Sequence, residues 1–331
     1  MPSPPVSPQR LGELAWAYAA PLVIEAGVEL GVFDALQHGP LALDELTART
    51  RTSPRGLRPL ADALVGLDLL RREGPRYALT PESDAFLVRG RPGWRGAFFE
   101  QVSERIVDRW LKLPESVRTG RPVQSVNREE TGVPFFSEFV ESLYGVNLDA
   151  AEAAARELGG AGGTSVLDLA AGSGVWSVPF ARRGASVTAV DWPDMLPITR
   201  RVAGREGVAE RYRFVGADLL EADLGTGHQV ALFGHILHSE GEPRSRRLLA
   251  RVRDALAPGG AAVVAEFVVN DDRKGPLIPL YFAVNMLLHT DEGDAFTRGQ
   301  LEGMLRDSGF TEPRWLDVPA VSPLLIARKT Y

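Results

Sequence analysis

From Thr164 onward the chain alternates between apolar runs and amphipathic stretches, and this alternation restricts it to a sheet flanked by helices. TSVLDLA, ASVTAVD, RYRFVGAD, QVALFGHIL and AAVVAEFVV read as strands, rich in Val, Leu and Ala. Between them lie helical stretches such as 193–203 and 243–256. Ala257-Pro258-Gly259-Gly260 is expected to stop the last helix and start a strand, and PRWLDVP and SPLLIARK read as two strands closing one edge. The fold class is therefore α/β, with a parallel sheet covered on both faces.

Within this pattern VLDLAAGSGVW, residues 166–176, is the strongest local signal. A buried strand is expected to end at Asp168, and Ala170-Ala171-Gly172-Ser173-Gly174 leads into a helix. Small residues let a backbone approach a ligand closely, and a helix start offers free N–H groups. Asp191 ends the next strand, 19 residues after Gly172, where an acid can accept bonds from ribose hydroxyls. Two cofactor classes use such a loop. Dinucleotide sites favour G-x-G-x-x-G, and Ser177 stands where the third Gly belongs. S-adenosylmethionine instead needs room for its tail, an acid for the ribose and an acceptor near the adenine amine. Asp218, in VGADLL, is placed for that last role.

The first hundred residues read differently. Residues 13–20 and 22–36 carry apolar residues at helical spacing, with Pro21 suited to a helix start. A short amphipathic helix in LALDELTART follows, then a Thr52-Ser53-Pro54 turn and a helix over 55–67. Residues 69–72 and 76–79 around Glu73-Gly74-Pro75 read as a hairpin, completing a winged-helix order. Residues 1–100 hold eleven Arg, no Lys and twelve Asp and Glu, and the expected recognition helix offers only Arg55 and Arg58. A DNA reader needs a concentrated basic stripe, so packing or dimerisation is the expected role. A winged-helix regulator that senses a ligand is the rival reading.

Residues 101–160 read as an interrupted helical connection, broken at Gly120-Arg121-Pro122 and Gly132-Val133-Pro134. Trp110, Phe135, Phe136, Phe139 and Tyr144 concentrate here, as a structural core or as the wall of a pocket for a flat apolar substrate. The expected division is thus 1–100, 101–160 and 161–331.

Composition narrows the function. The 331 residues include no cysteine, which excludes disulfides, thiolate metal sites and a Cys nucleophile. No metal site is expected. The net charge of −6, with Lys112, Lys274 and Lys329 the only lysines, argues against a nucleic-acid partner. No apolar run reaches the ~20 residues that cross a bilayer, so no membrane association is expected. MPSPPVSPQR lacks an apolar leader core and reads as a loose tail on a cytoplasmic protein.

With these residues in place, the chain resembles the dimeric O-methyltransferases typified by plant caffeic acid and bacterial polyketide enzymes. The resemblance spans nearly the whole length: the winged-helix module, Gly31-Val32-Phe33-Asp34, the DLAAGSG loop, Asp191-Trp192-Pro193 and the APGG turn. It implies a class I, Rossmann-like seven-stranded sheet behind an N-terminal dimerisation domain, and a homodimer methylating a small aromatic metabolite. It implies S-adenosylmethionine as cofactor, S-adenosylhomocysteine as product, and cofactor contacts at Asp168, Ala170, Gly172, Gly174, Asp191, Trp192, Asp218 and Leu219. Ala170 replaces a glycine often found in the family.

The family's base is a His in an L-H-D-W segment. Here the run is Ile236-Leu237-His238-Ser239-Glu240, so the resemblance makes His238 the general base. An imidazole, with an ordinary pKa near ~6.5, suits that work; a helix-capping His is the alternative. Glu266 matches one of two acids placed around the family's His, while Ala295 stands at the other. Asn285 and His289 are either pocket polar groups or ordinary helix-face residues. Ser239, Glu240 and Ala295 keep transfer to carbon or nitrogen, or a non-methylating use of the cofactor, as the alternative. A nicotinamide-dependent oxidoreductase is disfavoured by Ser177.

Overall fold

The computed structural model describes residues 8–100, 102–137, 139–159, 163–318 and 322–330. The tail reading of the first residues falls mostly outside them. The chain divides into two compact units, Met1–Asp108 and Arg109–Tyr331, so residues 101–160 fall on both sides of the division.

In the first unit, helices span Gln9–Trp16, Ala19–Glu29, Val32–Leu36, Leu43–Thr50 and Pro54–Gly66. The helix expected over 22–36 is two, because Gly31 takes a left-handed φ of 66° after Leu30. Pro21 lies in the first turn of Ala19–Glu29, where a missing N–H breaks no intrahelical bond. Ser53 caps Pro54–Gly66 by accepting from Gly56 N–H. Strands β1 (Leu70–Glu73) and β2 (Arg76–Leu79) form the antiparallel hairpin. Val28, Val32, Phe33, Leu36, Leu57, Leu64 and Tyr77 make this unit's core.

Leu11, Leu14, Trp16 and Tyr18 are exposed on the first helix and the turn after it. The stretch Gln9–Glu29 is 21 residues long and, by length and composition alone, apolar enough to cross a membrane, mostly unburied in the single chain. Charged residues interrupt it, so it does not read as a continuous apolar run.

The second unit holds strands β3 (Ser165–Leu169), β4 (Ser186–Asp191), β5 (Tyr212–Gly216), β6 (His228–Gly234), β7 (Leu256–Ala265), β8 (Phe310–Leu316) and β9 (Leu324–Lys329). Among the described residues they form one seven-stranded sheet in the order β5-β4-β3-β6-β7-β9-β8. Neighbours from β5 to β7 are parallel, while β9 runs antiparallel to both β7 and β8.

Side chains alternate across this sheet, giving it two cores. Leu167, Leu169, Ala231, Phe233, Ala262 and Val264 face Leu248, Leu249 and Val252 of helix Leu237–Ala255. Val166, Val187, Ala189, Val230, Leu232 and Val263 face Ala150, Ala151, Ala154 and Ala155 of helix Tyr144–Leu158. The small alanines let that helix lie close to the sheet. Each fully buried Val, Leu or Phe contributes about 1.5–3 kcal/mol.

The expected break at Gly132-Val133-Pro134 is instead inside helix Glu129–Phe136. Gly132 serves a close approach: a Cβ there would lie 2.4 Å from the Trp192 ring and 2.5 Å from the Val126 carbonyl. The APGG turn is absorbed into β7, which pairs with β6 through a register shift between His228 and Val230.

Candidate active site

The parallel strands end along one edge, the usual binding edge of such sheets. A cleft opens there within the second unit. Its walls include Ala170, Gly172 and Ser173 after β3, Asp191 and Trp192 at the end of β4, and Asp218 and Leu219 after β5. Gly234, His235, Ile236 and His238 line it beside β6.

The loop after β3 is built by specific bonds. Asp191 accepts from Gly172 N–H at 2.8 Å and from Trp192 N–H at 2.8 Å. Thr199 Oγ1 donates to the Gly172 carbonyl at 2.7 Å. Gly172 has φ 51°, and a Cβ on it would sit 2.6 Å from Val140 Cγ2, so no side chain fits. Ala170 also takes a left-handed φ, 52°. That conformation costs an alanine about 1–2 kcal/mol. Burial pushes the Asp191 carboxyl up to about 6, against the two N–H bonds that favour its charge.

Asp218 accepts from Leu220 N–H at 2.8 Å and from the Arg244 guanidinium at 3.0 Å. Arg244 also bonds Glu240, four residues earlier and across the non-helical Gly241, and all three residues line the cleft. Glu240 therefore has a partner of its own in this chain.

At the β6 end, His238 Nδ1 lies 2.7 Å from Glu266 Oε2, and His238 N–H donates to Glu266 Oε1 at 3.1 Å. One buried carboxylate thus holds both the ring and its backbone. Burial alone would raise Glu266, yet the charge and hydrogen bonds of His238 hold it below the usual carboxylate range. The His238 ring meets Phe282 edge-on at 4.8 Å between centroids, and Phe282 stacks on Phe267. Asn127 Nδ2 donates to the Ser239 carbonyl at 2.8 Å, and Asp294 N–H donates to the His238 carbonyl at 3.0 Å.

Several expected site residues lie elsewhere. Asp168 does not line the cleft. It is buried beneath the loop, accepting from Ser177 Oγ, which is 2.9 Å from Tyr212 OH. Burial pushes it up to about 7, against the Ser177 bond. Gly174 likewise is a turn residue, with φ 72° and its N–H on the Ala171 carbonyl.

The substrate candidates Trp110, Phe135, Phe139, Tyr144, Asn285 and His289 do not line the cleft either. Trp110 Nε1 donates to Asn285 Oδ1 at 3.3 Å, His289 Nδ1 bonds the Asn285 carbonyl at 2.8 Å, and Phe135 packs against both His289 and Phe139. Tyr144 packs against the helix–sheet core. From the same region Phe136, at the end of helix Glu129–Phe136, Val140 and Leu143 in the turns after it, and Asn147 of helix Tyr144–Leu158 face the cleft. Trp176, the last residue of the VLDLAAGSGVW signal, also lines it, as do His235 and Arg244, which carry no motif that marks them in the sequence. Among the described residues no group of three or more His, Asp or Glu is placed to hold a metal ion.

The donor set suits S-adenosylmethionine. Asp191 uses two lone-pair sites on backbone N–H groups and keeps others for hydroxyls. Asp218 stands at the neighbouring strand end, and the remaining walls are largely apolar. A doubly wound sheet with this cleft fits the class of enzymes that bind a nucleoside cofactor.

Comparison with known proteins sharpens the class. Residues 13–89 match the O-methyltransferase dimerisation domain and residues 120–311 the O-methyltransferase domain. The chain is 32% identical over 329 residues to the tetracenomycin polyketide synthesis 8-O-methyl transferase of Streptomyces glaucescens, covering 97% of each. It is 30% identical over 280 residues to an N,N-dimethyltransferase of Streptomyces rimosus, covering 81% of each. The structure of human N-acetylserotonin methyltransferase in complex with S-adenosylmethionine superposes with a TM-score of 0.84 at 24% identity, over 100% of each chain. The chain belongs to the S-adenosylmethionine-dependent O-methyltransferase family.

Proposed function

We propose that this enzyme methylates a hydroxyl on a small aromatic metabolite, with His238 as general base and Glu266 as its orienting acid. The observation that carries this reading is the His238–Glu266 pair, 2.7 Å apart, with His238 in the wall of the cleft that holds Asp191 and Asp218 and Glu266 buried behind it. When bound, the cofactor supplies a methyl group made electrophilic by its sulfonium.

The chain's residues do the rest. Asp191 receives the ribose hydroxyls and Asp218 the adenine amine. Phe136, Val140, Leu143 and Trp176 exclude water and offer apolar faces to a flat ring. The Glu266 carboxylate favours the proton on His238 Nδ1, which leaves the other ring nitrogen to take the proton of the acceptor hydroxyl. A polyketide-type phenol is the substrate class, supported by the relative at 32% identity.

The enzyme is further proposed to act as a cytoplasmic homodimer. Its dimerisation domain and the exposed Leu11, Leu14 and Trp16 support the pairing. The test is product analysis with isotope-labelled cofactor and a panel of phenols, naphthols and arylamines. Label on phenolic oxygen supports the reading, and label on nitrogen alone overturns it. Transfer to nitrogen is the second reading. It is favoured by Ala295, which leaves His238 with one acid rather than two, and by the N,N-dimethyltransferase among the relatives.

A further inference from the structure

Glu266 holds the His238 ring, but the turn that carries His238 needs support of another kind. Gly241 takes φ 69° and ψ 169°, so helix Leu237–Ala255 is interrupted there. The residue four after Ser239 is Pro243, which has no N–H to offer the Ser239 carbonyl. That carbonyl is met from another part of the chain: Asn127 Nδ2 donates to it at 2.8 Å. The neighbouring His238 carbonyl accepts from Asp294 N–H at 3.0 Å. A Cβ on Gly293 would lie 2.4 Å from that same carbonyl, so the 291–294 loop closes tightly on the turn.

Asn127 is itself fixed. Its Oδ1 accepts from Asp291 N–H at 2.8 Å and from Ser125 Oγ at 3.3 Å, and its backbone N–H donates to Ser125 Oγ at 3.2 Å. Nδ2 also reaches Ser239 Oγ, at 3.2 Å. An amide suits this place. Asp291 N–H can only donate and the Ser239 carbonyl can only accept, so the side chain must offer an oxygen to one and an N–H to the other. The residue before it is tied alongside, Val126 N–H donating to the His289 carbonyl at 2.8 Å. Asn127, His238 and Ser239 all line the cleft. One side chain thus joins three distant segments at the wall where His238 meets the cleft.

These bonds act on the backbone of the His238 turn, and so on where the imidazole stands. Displacing a reacting group by about 1 Å can cost about a hundredfold in rate. We propose that Asn127 is a positioning residue for the base: its amide fixes the turn that carries His238 and so sets the reach of the imidazole to the acceptor hydroxyl. This rests on the reading of His238 as the base. It follows that Asn127 matters for an acceptor that must lose a proton, and not for one already ionised.

Single-turnover methyl transfer by the full-length protein, at saturating acceptor, tests this. A phenol that the wild type methylates is compared with its nitro-substituted form, whose hydroxyl is already ionised at mildly alkaline pH. Asn127→Leu keeps the approximate size of the side chain and removes its hydrogen bonds. It should slow transfer to the neutral phenol about ten- to a hundredfold and to the ionised one less than about threefold. S-adenosylhomocysteine affinity by calorimetry should stay within about threefold of wild type, because no bond of Asn127 reaches Asp191 or Asp218.

Equal slowing of both phenols, or of neither, overturns the proposal, since a residue that only supports the fold or orients the acceptor does not distinguish them. If Asn127→Leu no longer binds S-adenosylhomocysteine, the same ratio read on Asn127→Ala decides. Failure of the underlying reading has its own signature. His238→Ala should show the same selectivity with a larger loss, and equal rates of loss for the two phenols there would remove His238 as the base whatever Asn127 does.

Discussion

Removing the base and removing its orienter should have separable effects. His238→Ala deletes the group that takes the acceptor's proton, a contribution of about 10²–10⁴-fold in turnover. Glu266→Gln preserves shape but not function. The carboxylate accepts from the backbone N–H of His238 through one oxygen and faces Nδ1 through the other. An amide has only one such oxygen. Its NH₂ must oppose the backbone N–H, or face Nδ1 and drive the ring proton to the nitrogen that should be free. Loss of one charge-assisted bond is worth about 1.5–3 kcal/mol, so turnover should fall about ten- to a hundredfold. Neither residue is proposed to hold the cofactor, so S-adenosylhomocysteine affinity by calorimetry should stay within about threefold for both variants. The assay is single-turnover methyl transfer to a phenol the wild type accepts, followed across pH. With His238 gone, the rate should track the acceptor's own ionisation. Superimposable pH–rate profiles for wild type and His238→Ala, with rates within about tenfold, would refute the base assignment.

Three further outcomes are expected. Asp191→Ala should weaken S-adenosylhomocysteine by about ten- to a hundredfold, since the ribose loses a charged acceptor, and calorimetry on the folded variant checks it. Light scattering at micromolar concentration should give twice the 35.9 kDa chain mass, because the apolar residues at 11–18 are uncovered in one chain; a clean monomer would contradict this. Asp168 is raised by burial from 3.8 to about 7 in the folded protein, so the folded state binds its proton more tightly than the unfolded one. Its contribution is fully present below about pH 4 and is lost as pH rises through about 7. Asp168→Asn cannot ionise, so the wild type should lose up to about 4 kcal/mol relative to it between those limits. Urea unfolding at pH 5 and pH 8 measures the difference, and equal pH dependence in both proteins would count against it.

The sheet was legible because strands buried on both faces leave continuous apolar runs, and helices between parallel strands must cover them. The placement of acids around the cleft was legible only in part, and strand position explains the difference. Asp191 is the last residue of β4 and Asp218 lies two residues beyond β5, so both reach the open edge. Asp168 sits one residue inside β3, whose last residue is Leu169, and the ladder to β4 and β6 holds it beneath the loop. There it binds Ser177, the residue that breaks the dinucleotide pattern in the sequence. A one-residue difference in where a strand stops is finer than apolar patterning resolves.

The aromatic region shows a related limit. Counting rings between residues 110 and 144 finds Phe136, which lines the cleft with Val140, Leu143 and Asn147. Phe136 ends helix Glu129–Phe136 and Asn147 lies in helix Tyr144–Leu158, so this wall is assembled across an interruption that ring counting does not resolve. Gly132 and Pro134 read as breakers in the sequence. Yet Gly132 admits the Trp192 ring, and the helix carries Pro134 without ending. His235 takes a left-handed backbone at the end of β6, and no local pattern announces such a turn at a non-glycine residue. The features hidden from the sequence are therefore those set by contact between distant segments.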